Sequence, residues 1–214
     1  MIVKICGMTR PADAAFAAEI GVDWLGLNFW PRSRRVVDRS QALEVAKAAR
    51  AARPDIVLVG VFVDQPIEQV TELCGAIGLD FAQLHGDEPP AYVRRLGRRA
   101  VKAIPLARES DVDRLDDYSC DTFLVDTPSP GRGGSGELGD WDLARRAAGL
   151  HRVLLAGGLT PDNVADAVAT VSPHGVDAAS GVESTPGRKE PLLVESFVTA
   201  ARAAFALKRG GDGK

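Results

Sequence analysis

Nothing in this sequence approaches the ~18 consecutive apolar residues that a membrane-spanning helix requires. The opening run, Met1–Cys6, is too short for a secretory leader and soon gives way to polar residues. Cysteine is scarce. Cys6, Cys74 and Cys120 are odd in number and widely spaced, which excludes both a disulfide framework and a zinc-binding spacing. Charge of one sign is missing as well: a formal net charge of −3 gives no electrostatic ground for nucleic acid or an anionic membrane as partner. No internal Gly/Ser/Pro stretch divides the chain, and no clear dinucleotide-binding fingerprint is present. These absences, with an ordinary apolar fraction of 45%, leave the expectation of a reduced, cytoplasmic globular protein.

What is present is alternation. β-branched runs at Ile2–Cys6, Trp24–Phe29, Ile56–Val63, Phe81–Leu84, Val101–Pro105, Thr122–Asp126, Val153–Ala156 and Val176–Ala179 are separated by Ala-rich amphipathic segments such as Ala12–Ile20, Gln41–Ala51, Ile67–Ile77 and Asp142–Ala148. Parallel neighbours need long crossover connections, so this order predicts a parallel sheet with helices between its strands. An open doubly wound sheet also alternates. Eight units of roughly 25 residues favour closure into a (β/α)₈ TIM barrel, an α/β fold. The barrel is expected over residues 1–207, its last helix at Leu192–Leu207 and a frayed tail at 208–214. Thr9-Arg10-Pro11 and Thr160-Pro161-Asp162 each read as a helix start with Thr as N-cap.

In such a barrel the active site forms at the C-terminal ends of the strands. Polar and glycine residues gather there: Cys6, Asn28, Asp64, Gln83 and His85, Asp126, Gly157-Gly158 and Ser180-Gly181. Cys6 reads either as an inert small hydrophobe or as a thiolate favoured by the backbone N–H groups of a helix starting near Thr9. Asp126 reads either as a loop-bonding carboxylate or as a proton donor. Both fall on the inward parity of their strands, where they suit a base–acid pair. The glycines after strands seven and eight lie where barrels bind phosphate. On the rim, Trp30-Pro31-Arg32-Ser33-Arg34-Arg35 suits a carboxylate or is a solvated basic loop. Pro128–Gly136 is either a closing loop or an exposed one.

Several of these segments together are similar to the phosphoribosylanthranilate isomerases. They are Lys4-Ile5-Cys6-Gly7-Met8-Thr9, Ser33 with Arg35, Gln83-Leu84-His85-Gly86, Leu124-Val125-Asp126, Gly133-Gly134-Ser135-Gly136, Leu155-Ala156-Gly157-Gly158-Leu159 and Ser180-Gly181-Val182-Glu183-Ser184. The resemblance runs in order along nearly the whole chain. It implies an Amadori rearrangement of N-(5-phosphoribosyl)anthranilate in tryptophan biosynthesis, with Asp126 as general acid and Cys6 as general base. It places the anthranilate carboxylate on Arg35 and the phosphate on backbone amides around Gly157, Gly158, Ser180 and Gly181. It calls for no metal or organic cofactor, because the substrate nitrogen stabilises the imine. The partner is a small phosphorylated substrate, and the chain works as a monomer or homodimer.

Two positions depart from the family pattern. Arg34 stands where proline is common, leaving Arg34 an alternative carboxylate binder, and Glu137 stands where lysine is common. Two rivals remain open: a histidine-pathway aminosugar isomerase, which places Asp at the position of Cys6, and a barrel that binds a phosphorylated metabolite without turning it over. One expectation comes from alternation alone. Lys4 shares the parity of Ile2 and Cys6 and so points inward, where an ammonium needs a partner. Asp177, at similar depth on the strand that closes the barrel against the first, is the best carboxylate available, and the pair would favour the Cys6 thiolate.

Overall fold

The structure, a computed structural model, describes residues 1–126 and 141–211, the last three by backbone alone. Eight parallel strands close into a barrel in chain order: β1 (Ile2–Cys6), β2 (Trp24–Asn28), β3 (Val57–Phe62), β4 (Phe81–Leu84), β5 (Ala100–Pro105), β6 (Thr122–Asp126), β7 (Val153–Leu155) and β8 (Gly175–Ala178). The helices between and after them are α1 (Pro11–Glu19), α2 (Arg39–Ala52), α3 (Ile67–Ile77), α4 (Pro90–Leu96), α5 (Glu109–Asp113), α6 (Trp141–Leu150), α7 (Val164–Val171) and α8 (Pro191–Gly211). The last helix continues beyond the expected end at Leu207. Closure leaves no sheet edge unpaired, and both faces of each strand are covered.

Alternation along the strands sorts side chains into two cores. Ile2, Trp24, Val59, Val101, Ala103, Leu124, Leu154 and Ala156 fill the barrel interior, with Trp24 stacked on Phe81 at 4.7 Å between centroids. The opposite parity meets the helices in a larger cluster that includes Ile5, Leu25, Phe62, Leu84, Val125 and Phe197. In α3 the buried face is Ile67, Val70, Leu73, Cys74 and Ile77, spaced as a helix requires, and Gly78 at φ 74° ends it.

Both expected threonine caps are absent. Arg10 holds the N-cap position of α1 with Pro11 directly after it, while the Thr9 hydroxyl donates to the Gly187 carbonyl. Asn163 precedes α7, and the Thr160 N–H donates to the Asn163 side chain instead. A short-range cap competes with any acceptor the tertiary fold brings near, and at Thr9 the tertiary acceptor wins. One element was not expected at all. After β8, a 3₁₀ turn at Ser180–Val182 leads into a small antiparallel hairpin, β9 (Glu183–Thr185) and β10 (Arg188–Lys189), turned at Gly187 with φ 85°.

Candidate active site

The register of the closing seam places Lys4 directly beside Asp177, as Cα partners between β1 and β8. The Lys4 ammonium donates to Asp177 Oδ2 at 2.8 Å, with both side chains buried, so the inferred interior ion pair is present beneath Cys6. Burial alone would pull Lys4 down, but Asp177 and the adjacent Cys6 hold its pKa above the ordinary lysine value. Burial pushes the Asp177 carboxyl up against the pull of Lys4. Its Oδ1, like Gln83 Oε1, has no hydrogen-bond partner among the described residues.

Cys6 ends β1 with Gly26 as its partner on β2, and the absence of a side chain there is needed. A Cβ on Gly26 would lie 2.7 Å from the Cys6 sulfur. The thiolate expectation needs correction in direction. Burial raises the Cys6 pKa above the ordinary thiol value; the charges of Lys4 and Lys189 pull it back without reversing it. The backbone N–H groups of Gly7 and Met8 do not serve the sulfur either, because both donate to the Gly26 carbonyl at 2.9 Å.

Asp126 ends β6 on the parity of Leu124, which points into the barrel. His85 approaches it, Nε2 to Oδ2 at 3.4 Å, and Gln83 Nε2 lies 3.0 Å from His85 Nδ1. An amide nitrogen can only donate, so Nδ1 is the acceptor of that pair and Nε2 is the ring nitrogen facing the carboxylate. Asp177 also feels the charges of Asp126 and His85, so one electrostatic network joins Cys6 through Lys4 and Asp177 to Asp126.

The loops expected to bind phosphate follow β7 and β8. Gly157 and Gly158 follow β7 with φ 90° and 63°, consecutive left-handed positions that glycine tolerates. Ser180 and Gly181 form the turn after β8. A Cβ on Gly181 would lie 2.0 Å from the Leu159 carbonyl oxygen, so this glycine lets the two loops touch. Gly181→Ala is therefore expected to push them apart at a cost of about 1–3 kcal/mol and to raise KM about tenfold with a smaller change in kcat. A variant with unchanged KM would show that the loops do not bind substrate.

Arg35 is half-buried and Arg34 exposed. The Arg35 guanidinium is already engaged: Nε and Nη2 donate to the Glu183 carboxylate at 2.7–3.1 Å. That bonding raises the Arg35 pKa beyond its ordinary value. The side chain also crosses Gly7, where a Cβ would meet Arg35 Cδ at 2.4 Å. Sequence reasoning placed Arg35 at the mouth without its partner, and it missed Lys189 altogether. The signal available for both was Pro186-Gly187, a turn dipeptide that marks a hairpin. Asn28 accepts a side-chain bond from the Trp30 N–H, and Asp64, at φ 53°, receives the Asp87 N–H. Both serve loop structure. Pro128–Gly136, with its Gly133–Gly136 motif, and Glu137 lie outside the described residues.

Fold and mouth define a (β/α)₈-barrel enzyme. Residues 3–200 match the family model described as N-(5'-phosphoribosyl)anthranilate (PRA) isomerase. The N-(5'-phosphoribosyl)anthranilate isomerase of Geobacter sp. strain M21 is 44% identical over 201 residues, covering 94% of this chain and 97% of the relative. The crystal structure of phosphoribosyl anthranilate isomerase from Thermotoga maritima superposes with a TM-score of 0.86 at 34% identity, covering 95% of this chain and all of that one. A phosphoribosyl anthranilate isomerase in complex with reduced 1-(o-carboxyphenylamino)-1-deoxyribulose 5-phosphate superposes at 0.81 with 32% identity and the same coverage. The chain belongs to the N-(5'-phosphoribosyl)anthranilate isomerase family.

Proposed function

We propose that this chain catalyses the Amadori rearrangement of N-(5-phosphoribosyl)anthranilate to 1-(2-carboxyphenylamino)-1-deoxyribulose 5-phosphate, in the cytoplasmic synthesis of tryptophan. The observation that carries the reading is a cysteine and an aspartate at the ends of β1 and β6, both on the inward parity, above a buried ion pair. Asp126 gives its proton to the furanose ring oxygen as the C1–O bond breaks, and the nitrogen lone pair forms a protonated imine at C1. Cys6 as thiolate removes the C2 proton, and the C2–H electron pair neutralises the imine to an enolamine. Loss of the C2 hydroxyl proton and protonation at C1 give the ketone, so the reaction is an isomerisation with no net gain or loss.

The raised Cys6 pKa fits this order. The base acts only after ring opening, when the positive imine beside C2 joins Lys4 and Lys189 in favouring the thiolate. Arg35 offers the guanidinium edge not held by Glu183 to the anthranilate carboxylate. Backbone around Gly157, Gly158, Ser180 and Gly181 takes the phosphate. The scheme needs no metal or cofactor, because the substrate nitrogen is the electron sink. Product identity tests it: proton NMR of the phosphoribosyl adduct incubated with the protein should show the aminodeoxyketose replacing the aminoaldose. An adduct that only hydrolyses to anthranilate, at the rate seen without protein, would sink the proposal.

A further inference from the structure

We propose that Lys189, on the hairpin after β8, is a positioning residue for the isomerisation, locking the strand end that carries Cys6 to the start of the phosphate-binding turn and to the Arg35–Glu183 pair. The inference rests on the reading of the site given above and adds a residue to it. The Lys189 side chain is buried, and its ammonium donates three hydrogen bonds: to the Cys6 carbonyl at 2.6 Å, to the Ala179 carbonyl at 3.0 Å and to Glu183 Oε1 at 2.8 Å. An ammonium has three donors, so its capacity is fully used. Those three acceptors belong to the end of β1, the residue before Ser180, and β9.

The hairpin is itself held in place. The Lys189 N–H donates to Asp13 Oδ2 on α1 at 3.0 Å, and the Gly187 N–H donates to Glu183 Oε1 at 3.2 Å. Glu183 in turn grips Arg35, which lies across Gly7, the residue after Cys6. One cation therefore spans the elements assigned to the base, the phosphate and the carboxylate. A buried ammonium is costly unless it is paired, and burial does pull the Lys189 pKa down. Glu183 offsets this, and is held below the ordinary carboxyl range by Arg35 and Lys189 despite its own burial. A hydrophobic residue would leave the Cys6 and Ala179 carbonyls and Glu183 Oε1 without this donor, so it is the ammonium that joins the three segments. Among the described residues, the charged groups acting on Cys6 are Lys4 from β1, Asp177 from β8, Arg35 from the segment after β2, and Lys189 from β10 with Glu183 behind it. Lys189 is the one that bonds the Cys6 backbone.

The test uses the full chain with Lys189→Met and Lys189→Gln. Two readouts are taken: steady-state kinetics on N-(5-phosphoribosyl)anthranilate, and the pH dependence of iodoacetamide labelling at the Cys6 peptide, followed by mass spectrometry. For Lys189→Met, we expect kcat to fall at least tenfold, KM to rise at least threefold and the Cys6 labelling midpoint to move up by half a pH unit or more. Lys189→Gln keeps a donor but no charge. It should hold KM within threefold of the unsubstituted protein while shifting the labelling midpoint as Met does. If the Met variant does not fold, the Gln variant alone decides through its labelling profile. Lower thermal stability with kinetics and labelling both unchanged would overturn the proposal, leaving Lys189 a structural clasp. The labelling arm does not depend on substrate identity. A protein inactive on this adduct would refute the assigned reaction, while the shift in labelling would still report on Lys189.

Discussion

Cys6→Ala and Asp126→Asn are each expected to lower kcat by about 10²–10⁴-fold, the usual contribution of a positioned general base or acid, with KM changed little. The reason for the split is geometric. Phosphate and carboxylate are assigned to backbone after β7 and β8 and to Arg35, none of which is substituted, so binding survives the loss of either reacting side chain. Neither substitution is expected to unfold the barrel. Cys6 is only half-buried and borders a glycine, and Asp126 lies at the mouth rather than in the packed interior. Because the two act on successive proton transfers of one turnover, the double variant should be little worse than the more damaged single one. Retention of more than a tenth of normal kcat by Cys6→Ala would remove it from the role of base, and the same result for Asp126→Asn would remove it as acid.

Lys4→Met carries the second large effect, and it separates stability from chemistry. Breaking a buried ion pair leaves the remaining charge without compensation, at about 3–5 kcal/mol, so the urea midpoint should fall sharply. The Cys6 labelling midpoint should rise by about one to two pH units, because the larger of the two cationic pulls on the thiol is gone. The sign follows directly: a cation stabilises the thiolate, so removing it makes the thiol harder to ionise and labelling slower at a given pH. Lys4→Met combined with Asp177→Asn removes the stranded carboxylate. That double variant should recover much of the lost stability while keeping most of the rise in midpoint. An unchanged labelling profile in the single variant would confine the pair to a structural role.

The barrel was legible in the sequence because strand and helix follow from period. The strand expectations differ from the structure only at their ends: Phe29, Ile56, Val63, Ala156 and Ala179 fall outside β2, β3, β7 and β8, while Ala100 and Gly175 extend β5 and β8. The Lys4–Asp177 pair was legible for a related reason. Parity fixes which way a side chain points, and closure makes the first and last strands neighbours, so two charged inward residues at one depth must meet. What escaped was whatever depends on three-dimensional acceptors. Thr9 bonds Gly187, far along the chain, in place of a local cap. Lys189 belongs to no motif in the sequence, and only the hairpin turn carries it back over Cys6. Arg35 could be placed by its motif, but its partner Glu183 lies 148 residues away. The Cys6 pKa was read from nearby charges and N–H groups; burial, which sequence does not quantify, decided the direction.

The most direct test of the central claim is the anthranilate-type fluorescence of N-(5-phosphoribosyl)anthranilate when catalytic amounts of the protein are added. The emission should decay completely, at a rate proportional to protein concentration, and Cys6→Ala should slow that decay about 10²-fold or more. Emission that decays no faster with the protein than without it, or that decays equally fast with Cys6→Ala, would contradict the account.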